Sequence, residues 1–473
     1  MVFLPELVFL FGALALFVIA LGDSRIMPAR ITAQIIAMAG AIAALATVGC
    51  HASLFTDAYL VDPYSQWLKV ALSLVFLLVV SMDRHLPDIR EDVKPEYYLF
   101  LTLSVTGLVF LVSCQDLLAL IIALELSSFP LYFLVPMRRE REGQRSQMES
   151  AIKYIMYGIV AMGVMLFGIS YLFGLTGTTF LPVMLQKLAV TKEATVATMG
   201  LAMLFAGLLY KLAIFPFHFW TPDVYEGASH ETASFIASAP KIGAVAVLVR
   251  FTTLTPESDH VIPTLLAGLA VASMFYGNLV ALMQHDIKRL LGFSGIAHAG
   301  YALVGFVALN ADGYTASLYY IFGYALMVLA CFLVISWTSK DGVNLAITDL
   351  AGLHRRSPLL AATLVVGVFA LAGLPPFAGF IGKFALLKAA LAKGYLALVI
   401  LAMLNAAIAV YYYLVIVREA CFRDPGDRPA IVLSWPTRFV CVVLILAITG
   451  LGVAPNAVFQ LIAHALPIGS HLP

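Results

Sequence analysis

Charge is what this sequence has least of. Asp, Glu, Lys and Arg make up 12% of its 473 residues and apolar side chains 62%, against about 25% and about 45 to 50% in soluble domains, which excludes a water-soluble globular chain. The formal net charge is only +1, too little for a nucleic acid or any other strongly charged partner. Cysteines are few and unpaired in sequence: Cys50, Cys114, Cys331, Cys421 and Cys441 are scattered with no CxxC, a pattern without iron–sulfur or structural zinc ligation. A dinucleotide fingerprint is missing too. Electrons must therefore travel on other chains, and neither cofactor nor metal is expected on this one. No Lys or Arg precedes the first apolar run, and no small-residue cleavage site follows it, so a retained helix is expected there in place of a signal peptide.

What the sequence does have is one bilayer-length apolar run after another. Runs of about 20 residues cross a hydrocarbon core of roughly 30 Å, and fourteen are present, at 3–22, 31–50, 65–82, 97–114, 115–136, 149–174, 195–220, 232–254, 261–282, 286–310, 314–338, 358–392, 396–419 and 436–460. The expected fold is an all-α polytopic membrane protein. With the N-terminus outside, eighteen of the 28 Lys and Arg residues fall on inner loops, among them Arg25, Arg84, Arg138, Arg141 and Arg145, and only Lys187, Lys192, Arg250 and Lys393 on outer ones. The positive-inside rule then places both termini outside.

Four ionisable residues interrupt these runs: Glu125, Lys211, Lys241 and Lys383. A charge near the bilayer centre costs roughly 2.5 to 3.5 kcal/mol even on lenient scales, so such residues face a protein interior or a hydrated cavity, where they pair, relay protons or bind ions. Helix breakers accompany them. Pro130 frees the carbonyl of Leu126 beside Glu125, and Pro216 that of Leu212 beside Lys211. Pro375 and Pro376 precede Lys383 among Gly373, Gly379 and Gly382. Broken spans 7 and 12 are five helices apart. They predict two five-helix repeats, 97–254 and 261–419, inverted because five is odd, flanked by three N-terminal helices in 1–96 and a final helix in 420–473.

The motifs KLAIFPFHFWTPDVYEGAS (211–229), SAPKIGA (238–244), DIKRLLGFSGIAHAGYALVG (286–305), LAGLPPFAGFIGKF (371–384) and LNAAIAVYYYL (404–414) resemble the antiporter-like membrane subunits of respiratory complex I, closest to the N-type (subunit N). The resemblance covers nearly the whole chain. Lysine at 383, where the M-type has glutamate, and a chain that stops soon after its last span, where the L-type has a long extension, also favour the N-type. It implies a proton-translocating, non-redox subunit of an NADH-quinone oxidoreductase in the bacterial plasma (inner) membrane. Implied partners are the M-type subunit, small membrane subunits, the lateral helix of the L-type subunit and lipids. By motif position Glu125, Lys211, Lys241, His298 and Lys383 are the proton-translocating residues. His230 and Glu231 stand where the family usually has small or uncharged residues; they are expected in an inner loop, with no role.

Bland alternatives exist for each. Glu125 and Lys211 could be a structural ion pair, or a tunable one. His298 could link the two halves or be a lone histidine satisfied by a carbonyl, and His218 could belong to a proton inlet or only to the interface. Tyr411, Tyr412 and Tyr413 could be an aromatic interface and packing element or a relay, with packing favoured, and Lys69, Lys153 and Lys388 read as snorkelling residues near span ends. The expected route loads Lys241 or Lys211 from inside, crosses near His298 and leaves by Lys383, gated by charge changes at the Glu125 and Lys211 pair. The alternative function is a subunit of a multisubunit sodium/proton antiporter unconnected to electron transfer.

Overall fold

The computed structural model describes residues 2–22, 26–82, 86–139, 147–191, 194–253 and 261–467. Arg25, Arg84, Arg141, Arg145 and Lys192, which contribute to the expected orientation, lie outside the described residues. Three helices open the chain: α1 (Leu4–Leu21), α2 (Ile26–Ala46) and α3 (Pro63–Met82). Between α2 and α3 sits an antiparallel hairpin, β1 (Ala52–Leu54) and β2 (Tyr59–Val61), whose turn holds Phe55, Thr56 and Asp57 at positive φ. Strands of three residues carry too little alternation to be read from sequence.

Next come α4 (Lys94–Leu111), α5 (Leu117–Leu134), α6 (Gln147–Thr176), α7 (Leu181–Ala189), α8 (Ala194–Leu212), α9 (Trp220–Gly227) and α10 (His230–Thr253). They are followed by α11 (Val261–Ala281), α12 (Ile287–Val304), α13 (Ala311–Thr338), α14 (Leu353–Arg356), α15 (Pro358–Ala372), α16 (Ala378–Ala392) and α17 (Leu396–Phe422), and the chain closes with α18 (Trp435–Val453) and α19 (Asn456–Ala465). Among the described residues, twelve helices are long and apolar enough to cross a membrane. The other two expected spans are α4, whose first turn carries Lys94 and Glu96, and the α15–α16 pair, each only 15 residues long. Helices α10, α12 and α13 are buried almost end to end, so the others pack around them. A helix that is apolar all round belongs in such a position.

The same local devices occur twice. Asp116 caps α5 by accepting from the amides of Leu118 and Ala119, and Asp286 caps α12 by accepting from that of Arg289. Each cap residue also forms a bridge to a later segment, Asp116 to Phe180 and Asp286 to Ala346. Helix α4 meets α5 at Gly107, where a Cβ would lie 2.3 Å from the Ser127 nitrogen. Helix α11 meets α12 at Gly277, where it would lie 2.7 Å from the Ala297 nitrogen.

Both broken spans end their first half in one capping motif. Ala213 (φ 64°) follows α8 and Gly373 (φ 84°) follows α15. The amide of Ile214 donates to Leu209 O at 2.9 Å and that of Leu374 to Phe369 O at 3.0 Å, the long bond of a Schellman ending. The expected span 195–220 therefore stops at Leu212. Helix α8 ends in this left-handed cap before Pro216 is reached, so Pro216 breaks no helix. Pro130, in contrast, lies inside a continuous α5.

Lys69 does not snorkel. Its amine lies 2.5 Å from Glu6 with both side chains fully buried, clamping α1 to α3, and the Tyr59 hydroxyl donates to the same Glu6 oxygen at 2.5 Å. Removing one partner of a buried pair strands the other's charge and costs about 3 to 5 kcal/mol, whereas replacing both with apolar groups is often neutral. Glu6→Gln and Lys69→Met should each lower the thermal stability of the purified complex, and the double variant should recover most of the loss. Additive losses in melting experiments would show that the two side chains act independently.

Candidate functional site

Lys211, in the last turn of α8, is buried and donates to the hydroxyls of Ser127 (2.5 Å) and Ser128 (2.6 Å) on α5. These serines can face it because Gly107 lets α4 pass tightly behind them. Glu125 is half-buried. It makes no salt bridge with Lys211: the two line one cavity of about 10 Å³ with Ser128, Tyr132 and Tyr210, at the lower limit for a single water. The direct ion pair expected from the sequence is replaced by neutral hydroxyls on the amine.

Farther in, the groups form a continuous row. Lys241 is fully buried on α10, donates to Gly295 O at 2.8 Å and lies 5.0 Å from the ring centre of Tyr324. A Cβ at Gly295 would come within 2.8 Å of the Tyr324 hydroxyl and 3.1 Å of the Lys241 amine, so glycine is what admits them. The Tyr324 ring lies 5.0 Å from that of His298. Both His298 nitrogens are engaged, Nδ1 with the Tyr320 hydroxyl at 2.7 Å and Nε2 with the Tyr413 hydroxyl at 2.9 Å, and the Tyr413 hydroxyl also bonds Ser294 at 2.5 Å. Neutral imidazole donates from one nitrogen and accepts at the other. Beyond it, Tyr301 lies 6.4 Å from the His298 ring and 4.9 Å from the Lys383 amine. Lys383, on the second half of the twelfth span, donates backward across the break to Leu371 O (2.9 Å) and Ala372 O (3.1 Å), the carbonyl end of the first half. Those carbonyls have no helical donor because α15 stops there, and a cation suits a helix C-terminus.

The structure thus joins Lys241, His298 and Lys383 through Tyr324 and Tyr301, and holds Lys211 with Glu125 at a separate cavity. Sequence reasoning missed Tyr301, Tyr320 and Tyr324, since a buried tyrosine in an apolar helix gives no signal of its own. It also treated Tyr411 to Tyr413 as one packing element. Successive helical residues point in directions about 100° apart: Tyr411 is 65% exposed, Tyr412 donates to Asn278 Oδ1 at 2.9 Å, and Tyr413 touches His298. His218 lies in the α8–α9 break, buried, with its ring between Phe215, Phe219 and Tyr276 and no hydrogen bond at either nitrogen. His230 and Glu231 are not in a loop. They form the first turn of α10, and both are buried. Lys153 bonds Asp223 at 2.8 Å, and Asp223 in turn holds Arg289, while Lys388 is exposed as expected. Among the described residues, no group of three or more His, Cys, Asp or Glu could hold a metal ion.

Fold and site together define a multi-pass helical membrane protein of antiporter-like build, with two similarly capped broken spans and a row of buried amines. Residues 114–409 match the model of the NADH:quinone oxidoreductase/Mrp antiporter transmembrane family. Over 465 residues, 98% of this chain and 97% of the relative, the sequence is 60% identical to NADH-quinone oxidoreductase subunit N 2 of Opitutus terrae. A chain of respiratory complex I from Thermus thermophilus with bound aureothin superposes with a TM-score of 0.85 at 31% identity, covering 97% of this chain and 99% of that one. A chain of the Mrp complex from Dietzia sp. shares the fold, with a TM-score of 0.86 over 99% and 97% of the two chains, at 20% identity. The chain belongs to the NADH:quinone oxidoreductase/Mrp antiporter transmembrane family, among its NADH-quinone oxidoreductase subunit N members.

Two glycine substitutions separate the row from the scaffold. Gly295→Ala places a methyl against the Tyr324 hydroxyl and the Lys241 amine, overpacking that costs about 1 to 3 kcal/mol, and should depress proton pumping in assembled complexes. Gly268→Ala, where a Cβ meets nothing within 4 Å, should leave pumping unchanged. Comparable pumping by the two variants in sealed vesicles would mean that the packing around Lys241 is irrelevant to transport.

Proposed function

We propose that this chain is a proton-translocating membrane-arm subunit of a complex I-type NADH-quinone oxidoreductase, coupling quinone reduction elsewhere in the complex to proton movement through its own interior. The observation that carries this reading is the unbroken row Lys241, Tyr324, His298, Tyr301, Lys383. Each member is buried and each successive pair is in ring contact. An amine held by a carbonyl can release its proton without leaving an unpaired carboxylate behind, and imidazole can pass one by taking it at one nitrogen and giving it up at the other. Protons enter from the inner side, load Lys211 or Lys241, cross at His298 and leave by Lys383. Glu125 senses Lys211 through their shared cavity, so charge changes in neighbouring subunits bias the first site. His218, without a hydrogen-bond partner beside the seventh-span break, belongs to the inner inlet. The likeness to the Mrp chain supports the fold alone and does not favour a sodium/proton antiporter.

The chain assembles with other complex I subunits. We further infer the M-type and small membrane subunits and the lateral helix of the L-type subunit as neighbours, lipids around the rim, a bacterial inner-membrane location and both termini on the outer side. The duplicated caps and the paired breaks support two inverted repeats, 97–254 and 261–419.

Lys383 is the decisive test. Lys383→Arg keeps a charge and donors for the Leu371 and Ala372 carbonyls but hardly deprotonates, and Lys383→Met keeps an unbranched stem without charge. Both should assemble and lose most donor-driven pumping. Wild-type pumping by the arginine variant would rule out proton release at this position.

The reading also assigns no redox centre to this chain. Purified alone and reconstituted, it should show no flavin or iron absorbance and no NADH oxidation, whereas a stoichiometric bound redox group would overturn the assignment.

A further inference from the structure

We infer that Glu231 is an additional proton-handling residue, taking protons at the start of α10 and delivering them to Lys241 along a hydroxyl stripe on one face of that helix. The inference deepens the proposed function and rests on it. Glu231 lies in the first turn of a 24-residue helix, only 4% exposed, and accepts from the Ser336 hydroxyl of α13 at 2.8 Å. Ser336 lies in the last turn of α13, two residues before its end at Thr338, so the carboxylate sits beside a helix end.

From Glu231 the polar groups continue in register. Ser234, Ser238 and Lys241 follow at steps of three, four and three, which keeps all four side chains on one face of a helix. Between Glu231 and Lys241 the other residues of α10 are apolar or small except Thr232, whose hydroxyl bonds Ser229 and Tyr97. The Ser234 hydroxyl donates to Glu231 O at 2.7 Å and the Ser238 hydroxyl to Ser234 O at 2.7 Å, so both oxygens keep lone pairs free to accept. Ten residues of helix span about 15 Å, and the two serine hydroxyls divide that span. The transfer balances without a co-reactant. The Glu231 carboxylate takes a proton from water and becomes a neutral acid, the proton passes along the stripe, and the neutral Lys241 amine becomes ammonium while Glu231 returns to carboxylate.

A purely structural role predicts something different. A carboxylate in a first turn also stabilises the helix through its dipole, and for that purpose the uncharged Glu231→Gln, with the same volume and an acceptor for Ser336, would be a mild change that leaves transport intact. The test uses the whole complex in sealed vesicles, reading pumping per electron delivered, for Glu231→Gln, Glu231→Asp and Ser238→Ala, with Lys241→Ala as reference. We expect Glu231→Gln to lose most pumping, Glu231→Asp to keep part of it, and Ser238→Ala to fall between wild type and Glu231→Gln. If Glu231→Gln does not assemble, Ser238→Ala carries the test alone. Wild-type pumping by assembled Glu231→Gln, or by Ser238→Ala, while Lys241→Ala is defective overturns this inference and leaves the proposed function standing. Wild-type pumping by Lys241→Ala overturns both.

Discussion

An ammonium group inside hydrocarbon has to be held by oxygen, and the kind of oxygen decides what the group can do. Six of the cations buried among the described residues fall into two sets. Lys69, Arg250 and Arg138 are held by the carboxylates of Glu6, Asp62 and Asp88. Each of these pairs ties together segments far apart in sequence, and Arg138 also donates to the carbonyls of Glu226 and Gly342. Lys211, Lys241 and Lys383 are held by neutral oxygens, two hydroxyls and three backbone carbonyls. Taking a proton from the first set would strand a buried anion, which is prohibitive. Taking one from the second leaves an uncharged amine beside an uncharged oxygen. In the proposed function, the difference separates these bolts of the fold from the exchangeable lysines.

At Lys383 the neutral oxygens come from backbone left without its usual donor. A helix supplies free carbonyls only at its end, so the Lys383 site requires a helix that ends at membrane depth, and the Schellman cap after Ala372 provides it. Glycines then let neighbours close over the interruption: a Cβ at Gly452 of α18 would lie 1.9 Å from Pro376 O, and one at Gly379 would lie 1.7 Å from Ala370 O. Irregular backbone survives in a membrane only where protein buries it in this way.

Much of this was legible in the sequence. The fourteen apolar runs, the break before Lys383 and the position of Lys241 follow from spacing and composition, because bilayer length and buried charge leave strong marks, whereas His298 stands out only through the family resemblance. What stayed hidden depends on partners distant in sequence. Glu6 near one end of α1 and Lys69 in α3 each look like residues close enough to a span boundary to reach water, and only the packing of α1 on α3 reveals the pair. The tyrosines around His298 are silent for the same reason. His230 and Glu231 misled because polar residues between two apolar runs look like a loop, whereas a helix start buried under α13 can hold them. The seventh span was drawn too long because Pro216 is a conspicuous breaker, while the left-handed Ala213 that ends the helix is not.

Lys383 grips the tail of the helix half that precedes its own, so its side chain is a strut across a joint. A strut whose grip depends on charge makes the angle of the joint and the occupancy of the proposed proton site one shared variable. Protonation tightens the hold on two carbonyls, and release slackens it. By reciprocity, any neighbour that flexes this joint also changes how readily the amine keeps its proton. Force applied at the rim of the protein can then be read at its centre as chemistry, without any residue travelling the distance between them.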